Sequence, residues 1–493
     1  MDSLESLRQK VISGIGWTTL NRISEQGLKF GISVLLARLL TPEAFGLIGM
    51  IVVFTGFASL FADAGFGAAL VQREEIEERH LSSVFWLQAG LGILLTLGLA
   101  GAAPLIAQFY GEPLLEVLTM FVAIQFTFES MATVQTALFR RKMDFRKITI
   151  VKLVATVTSG GIAITLAVLD YGVWSLVWQT VVNTVADVTA VWILSSWSPR
   201  FIFQWRAIRE LASYSTNLLG FNTINYWTRN SDDLLIGRYV GSSGLGIYNR
   251  AYDTMMLPIH LIRGVIGEVM FPTLSRLQDD VDHVRRVYLR ATRTIGFISI
   301  PMMCGLMVIA ESFVLALFGP KWEAVIPVLQ VLCLIGIKQP VSSTTGWLFK
   351  SQGRTDLMFY WNLVVSTATV LSFVIGVQWG VLGVAIAFTI RGYLLHYHGI
   401  VIPGRLIDLS FGEFHRNLAG IAGCSFIMMA LVFGFGVILP PTWGHWSRLF
   451  VQVPFGMIVY WGLAHGFGLQ AYHESLDLLL EEWEKRVRSD TAE

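Results

Sequence analysis

Ala37-Arg38-Leu39-Leu40-Thr41-Pro42-Glu43-Ala44-Phe45-Gly46-Leu47-Ile48 is answered at an offset of 200 by Gly237-Arg238-Tyr239-Val240-Gly241-Ser242-Ser243-Gly244-Leu245-Gly246-Ile247-Tyr248. The arginine, a glycine and the flanking apolar residues coincide. Leu138-Phe139-Arg140 pairs in the same way with Leu348-Phe349-Lys350 at an offset of 210, and Gly172-Val173-Trp174-Ser175-Leu176-Val177 with Gly380-Val381-Leu382-Gly383-Val384-Ala385 at 208. Three matches in one order at a nearly constant offset mark an internal duplication of about 200 residues.

What is duplicated is apolar. Of the 493 residues, 54% are of apolar type and only 14% are charged, against about 25% charged in an average soluble chain. Mean hydropathy is +0.59. This excludes a disordered chain and a disulfide-stapled secreted scaffold. With 36 Lys and Arg against 35 Asp and Glu, the net charge of +1 carries no nucleic-acid footprint. Cys304, Cys333 and Cys424 lie in apolar runs and read as small buried hydrophobes.

A membrane helix needs about 20 mostly apolar residues. By that length the chain holds fourteen spans, near 12–40, 44–70, 82–108, 114–138, 148–169, 172–196, 211–237, 247–272, 290–317, 323–349, 357–378, 380–404, 416–439 and 446–468. The expected fold is therefore an all-α integral membrane protein. Residues 1–198 form an N-terminal lobe of six spans and 199–408 a second such lobe. Two further spans follow in 409–470, and 471–493 is a cytoplasmic amphipathic tail. Six spans per unit is even, so the lobes keep one orientation, as in parallel-repeat transporters. In the tail, Leu476, Leu479, Leu480, Trp483 and Val487 form one stripe that either lies on the membrane surface or packs on the protein. No cleavable signal is expected, because Met1–Lys10 is mostly polar and no small-residue cleavage site follows.

The basic residues fall in alternate loops. One set holds Arg73 and Arg79, Arg140 to Lys142 with Arg146 and Lys147, Arg200, Arg206 and Arg209, Arg276, Arg285 and Arg286, Lys350 and Arg354, then Arg405 and Arg416. The opposite loops hold Lys321 and little else. This bias places the basic loops and both termini in the cytoplasm, with every opposite loop short.

An ionisable side chain at membrane depth costs at least about 2.5–3.5 kcal/mol, so it faces a cavity or a partner. Arg22, Glu25 and Lys29 share one face of the first span, and Asn222, Asn225, Arg229 and Asp232 one face of the seventh. At the repeat offset Arg22 aligns with Asn222, Glu25 with Asn225 and Lys29 with Arg229, which suggests two walls of a wet cavity. Asp63 aligns with Arg263, with the sign inverted, and Arg250 and Asp253 lie in the eighth span with Glu268. The competing reading is structural: Glu25 with Lys29, and Arg250 with Asp253, neutralise each other within a helix. Glu129, Lys152, Asp187, Lys338 and Arg391 stand singly in other spans. His396 and His398 are two apart and share no helix face, so no metal site is expected, nor any cofactor. Phosphate-cradling, zinc-protease and nucleophile-elbow motifs are absent, so no catalytic residue is assigned and the chain is not read as an enzyme.

Leu35 to Gly46 and Ala62-Asp63-Ala64-Gly65-Phe66-Gly67-Ala68-Ala69-Leu70-Val71-Gln72-Arg73 resemble the polysaccharide or O-antigen flippases of the Wzx type, in the multidrug/oligosaccharidyl-lipid/polysaccharide exporter superfamily. Asp232-Asp233-Leu234-Leu235-Ile236-Gly237-Arg238 and Phe271 to Asp280 add to the likeness, which is to the branch exporting exopolysaccharide units of the colanic-acid kind. The resemblance implies two six-helix lobes in a V. It also implies an oligosaccharide cargo on polyprenyl pyrophosphate, moved from the cytoplasmic to the outer leaflet by alternating access. Its central charged residues would fall on Arg22, Glu25, Lys29, Asn222, Asn225 and Arg229.

A pyrophosphate-sugar head cannot cross hydrocarbon bare. On this reading Arg22, Lys29 and Arg229, with Arg263 second, hold the pyrophosphate. Glu25, Asp63, Asn222, Asn225, Asp232, Arg250 and Asp253 are left for sugar hydroxyls or a coupling cation, H+ or Na+. The expected partners are the lipid-linked oligosaccharide, membrane lipids and the polysaccharide polymerase machinery. A drug/cation antiporter of the same superfamily would want a more acidic cavity. A lipid II flippase shares the fold expectation. A membrane glycan polymerase or ligase would want a large outside loop, which the chain lacks.

Overall fold

The computed structural model describes residues 25–63, 65–73, 75–212, 223, 225–440 and 442–474, apart from the side chains of 63, 211–212 and 260–269. Among them there is no strand. Helices follow one another as α1 (25–39), α2 (Pro42–Asp63), α3 (Phe66–Gln72), α4 (Glu78–Tyr110), α5 (Leu114–Ala123), α6 (Gln125–Ser130), α7 (Thr133–Arg141), α8 (Phe145–Val168), α9 (Trp174–Leu194), α10 (Trp205–Ala212) and α11 (Ser231–Tyr239). They continue as α12 (Ser242–Arg276), α13 (Val281–Leu317), α14 (Val325–Ser342), α15 (Thr345–Ser351), α16 (Thr355–Gly376), α17 (Gly380–Leu394), α18 (His396–Gly404), α19 (Phe411–Ile438) and α20 (His445–Gly466). The chain divides into two compact units, Met1–Gly246 and Ile247–Glu493.

Local chemistry sets the helix ends. Pro42 opens α2 where its missing N–H is no loss. Asp144 caps α8 by accepting the Lys147 N–H at 3.2 Å, Asp280 caps α13 by accepting that of His283 at 2.9 Å, and Ser410 caps α19 by accepting that of Glu413 at 3.1 Å. Gly111 closes α4 at φ 74°, a conformation that a Cβ disfavours.

Among the described residues, nine helical stretches are long and apolar enough to cross a membrane, or ten when Leu114–Ser130 and Thr133–Arg141, bent by 46°, count as one span. One stretch, Thr355–Ile407, has 53 residues. It breaks at the 3-10 turn Val377–Trp379 before Gly380, where φ is 70°, and so holds two of the expected spans. The helix α12 is 35 residues long but carries Arg250, Asp253, Arg263 and Glu268. Residues 12–24 of the expected first span and 213–222 and 224 of the seventh lie outside the described residues, as does the tail beyond 474.

The surface is apolar where lipid would lie. Leu94, Leu97, Ile193, Val437 and Phe450 are exposed, while Ser82, Ser83, Gln88 and Gln135 are fully buried. In the first unit α4 packs on α2, α5 and α6, and α8 on α9. In the second, α13 packs on α14, α19 and α20, and α14 on α17. Tyr460 of α20 donates its hydroxyl to the Phe297 carbonyl of α13 at 2.9 Å, inside a cluster with Cys304, Cys424 and Met428. All three cysteines are buried and unbridged.

Two close approaches within the first unit mirror each other. A Cβ on Gly46 would overlap the Ser242 carbonyl, and a Cβ on Gly246 would overlap the Pro42 carbonyl. The segment after α9 is strapped to the start of α4. The Trp197 indole donates to Glu78 at 3.2 Å, the Ser82 hydroxyl accepts the Arg200 N–H at 3.0 Å, and Ser83 accepts that of Gln204 at 2.9 Å. The Trp86 indole donates to the Arg200 carbonyl at 2.8 Å and its ring stacks on Phe201.

Candidate functional site

The first unit holds a half-open cavity of about 750 Å³ whose wall is about half polar although the helices around it are membrane spans. Helical periodicity builds each wall. The bent pair contributes Gln125 and Glu129 from α6, then Thr133, Thr136 and Arg140 from α7. From α8 come Lys152, Thr156 and Ser159, at i, i+4 and i+7. The α9 stripe is Gln179, Thr180, Asn183, Thr184 and Asp187. Lys29 and Ser33 of α1 and Ser59 of α2 complete the polar lining, and Ile32, Leu36 and Phe45 give it an apolar side.

Several of these groups are fixed by one another. The Lys152 ammonium meets the Asp187 carboxylate at 2.7 Å across α8 and α9. One turn away Asn183 donates to the Ser159 hydroxyl at 3.2 Å. The Thr180 hydroxyl donates to the Leu176 carbonyl at 3.1 Å and that of Thr184 to Thr180 at 3.3 Å. These donors are used within their own helix, so the oxygens bring acceptor lone pairs to the wall. Lys29 is ion-paired with Glu25 one turn back. Among the described lining residues Lys29, Arg140 and Lys152 are cationic and Glu129 and Asp187 acidic, with Glu25 outside the lining as the partner of Lys29.

Next to the chamber wall, the short helices α3, α7 and α10 pack with α4 around Leu70, Phe85, Val134 and Ile208. A charge cluster closes this corner. Arg73 donates to Glu210 at 2.7 Å, with His80 and Arg206 at 3.5 and 3.6 Å, and Arg141 donates to the Arg73 carbonyl. Hydrogen bonding from the Arg73 guanidinium holds the Glu210 carboxyl below its ordinary range, and His80 adds to the effect.

The residues expected from sequence are distributed as follows. Arg22 and Asn222 lie outside the described residues, and Asp63 and Arg263 are described for their helical backbone only. Lys29 lines the chamber and Glu25 is its ion partner. Asn225 and Arg229 are exposed on the helical stretch 225–229. Asp232 is buried at the start of α11, where its carboxylate accepts the Asp233 N–H at 3.1 Å. In the second unit Arg250 is buried, its guanidinium 5.0 Å from the Phe318 ring and 5.1 Å from that of Trp322, a cation–π seat. Asp253, three residues on, is exposed.

Glu129, Lys152 and Asp187, which stand singly in the sequence, line one chamber. Their signal was present: Gln179, Asn183 and Asp187 recur every fourth residue, as do Lys152 and Thr156. His396, on the other hand, pairs with a residue that its spacing to His398 did not suggest, placing its Nε2 3.0 Å from that of His415. Among the described residues no group of three or more His, Cys, Asp or Glu could hold a metal ion.

A family model described as polysaccharide biosynthesis protein matches residues 35–327. The chain is 29% identical to the teichuronic acid biosynthesis protein TuaB of Bacillus subtilis, over 97% of this chain and 99% of that one. It is 31% identical to the succinoglycan biosynthesis transport protein ExoT of Rhizobium meliloti, over 73% of each. Its fold is like that of the lipid II flippase MurJ in an inward closed conformation, with a TM-score of 0.75 at 16% identity over 92% of this chain and 98% of that one. A chain of membrane-spanning helices, matched by that model over more than half its length, belongs to the polysaccharide biosynthesis protein family.

Proposed function

We propose that this protein is a flippase that carries a polyprenyl-pyrophosphate-linked oligosaccharide, the repeat unit of an exopolysaccharide or lipopolysaccharide, from the cytoplasmic to the outer leaflet by alternating access. One observation carries the reading. A chain built for lipid holds a half-open chamber with ionisable, amide and hydroxyl groups in its wall, and such groups at membrane depth are kept for a hydrophilic passenger. Membership of a polysaccharide biosynthesis family supports a glycan as that passenger. The relative in Rhizobium meliloti is named as a transport protein, and MurJ as a lipid II flippase.

In this reading the duplicated halves, 1–198 and 199–408, are the two six-span lobes, and 409–470 adds two spans. The reciprocal approach of Gly46 to Ser242 and Gly246 to Pro42 supports the duplication. Arg22, Lys29, Arg229 and Arg263 hold the pyrophosphate. Their fixed charge replaces the water that a doubly ionised group would lose. Glu25, Asp63, Asn222, Asn225, Asp232, Arg250 and Asp253 serve the sugars or a coupling H+ or Na+. The membrane is the bacterial inner membrane, with both termini cytoplasmic, and the polymerase machinery receives the unit on the far side. An inside-negative potential favours outward movement of the anion by about 2.3 kcal/mol per charge per 100 mV.

The test is a reconstitution. Vesicles carrying the lipid-linked oligosaccharide extracted from the producing strain are treated with an impermeant glycan oxidant. With the protein present, glycan on the inner leaflet becomes accessible within minutes. Unchanged protection, with folded protein in the bilayer, overturns the reading.

A further inference from the structure

We propose that the chamber formed by α1, α2 and α6 to α9 is a glycan subsite. Its α8 and α9 walls take uncharged sugar residues of the cargo and not the pyrophosphate. The inference rests on the flippase reading and assigns this chamber, within that function, to one part of the passenger.

The chemistry of the walls selects the ligand. An apolar drug would cover the Gln179 amide and the acceptor oxygens of Thr180, Thr184 and Asp187 without meeting their hydrogen bonds, at a cost of about 1–3 kcal/mol for each group so stranded. A pyrophosphate needs cationic excess, and on the α8 and α9 walls the cation among the described residues, Lys152, already meets Asp187 at 2.7 Å. A lone coupling cation needs a tight cage of oxygens at about 2.0–2.6 Å. The chamber's volume of about 750 Å³ is instead in the range of organic-ligand pockets, roughly 300–1,000 Å³.

A neutral polyol fits what remains. Its hydroxyls donate to the Thr180, Thr184 and Asp187 oxygens and accept from Gln179 and Asn183, while its C–H face can lie against Phe45. These groups sit on helices, held by the Asn183 to Ser159 bond and the Lys152–Asp187 pair, so little ordering entropy is lost on binding. Lys29 lines this chamber and also belongs to the proposed pyrophosphate set, which makes it the junction between headgroup and first sugar.

The experiment uses the full chain in lipid nanodiscs and two probes, the lipid-linked oligosaccharide extracted from the producing strain and sugar-free polyprenyl pyrophosphate. Asn183→Leu and Gln179→Leu are each expected to weaken binding of the sugar-bearing lipid by about ten-fold or more, since a site built to hydrogen-bond hydroxyls fails when its own groups are removed. Binding of polyprenyl pyrophosphate should stay within about two-fold of wild type. Thr180→Val, nearly isosteric, should give a smaller loss of the same selectivity and covers the case in which a leucine variant fails to fold. Equal loss of both probes, or no loss of either, in variants that melt like wild type overturns the subsite. So does loss of H+ or Na+ dependence of transport with glycan affinity intact. If wild-type protein binds neither probe, the flippase reading itself fails.

Discussion

Gly46 of α2 lies against the carbonyl of Ser242 at the start of α12, so closely that a methyl group has no room between them. The obstacle is backbone, which cannot rotate aside. The same holds with the roles exchanged for Gly246 and Pro42. Positions 42 and 46 stand 200 residues before 242 and 246, the offset at which Arg38 meets Arg238 in the sequence, so each segment supplies the glycine that the other needs. Gly46→Ala and Gly246→Ala should each destabilise the protein by about 1–3 kcal/mol or more through overpacking. Gly90→Ala, where a Cβ meets nothing within 4 Å, should be neutral or stabilise by up to about 1 kcal/mol. Thermal melts in one detergent check all three.

The Lys152–Asp187 pair should behave as a unit. Lys152→Ala leaves a carboxylate facing the chamber without the ammonium now 2.7 Å away, and Asp187→Ala leaves the converse. Each single change should reduce polymer export several-fold. The exchange Lys152→Asp with Asp187→Lys should recover most of it, with a coupling of roughly 1 kcal/mol or somewhat more in a stability cycle. Surface polymer measured in a complemented deletion strain reads the first, and melts read the second.

Glu210 gives a pH signature. Its carboxyl is held below the ordinary value of 4.5 by Arg73. A depressed folded-state pKa contributes stability above the unfolded value and loses it as the pH falls through the folded value. Melting temperature should therefore drop on acidification from about pH 5 downward, and Glu210→Gln should flatten that part of the curve while lowering stability at pH 7.

In the second unit, Tyr460→Phe removes the hydroxyl that reaches the Phe297 carbonyl at 2.9 Å. The ring still fills its place beside Cys304 and Met428, so the loss should be that of one hydrogen bond, about 0.5–1.5 kcal/mol. Denaturation of the purified protein measures it, and export should be retained.

Much of this architecture is legible in the sequence because hydropathy is local. A run such as Leu91 to Ala103 identifies a span whatever surrounds it, and the i, i+4 pairing of Glu25 with Lys29 follows from helix geometry alone. The family resemblance read from Leu35 to Arg73 agrees with the matched family. The chamber is harder to read. Thr180, Asn183 and Gln179 carry no charge, so they scarcely dent the hydropathy of α9. That α9 faces α8 and the bent pair is decided by packing between distant segments. Glu129, Lys152 and Asp187 look solitary until that packing is known. Arg250 is a like case, since its aromatic seat comes from Phe318 and Trp322, far along the chain. The His396 to His415 approach was also hidden, because it joins the ends of two successive helices around a turn.

The strap from Ser195 to Gln204 has a practical consequence. Read as text it is the natural seam at which to cut this chain into two genes. In the fold its main chain is tied to α4 through Ser82, Ser83 and Trp86. A split there would leave one fragment missing its lashing and the other trailing a loose end, so anyone dividing this protein for co-expression should look for a different place to cut.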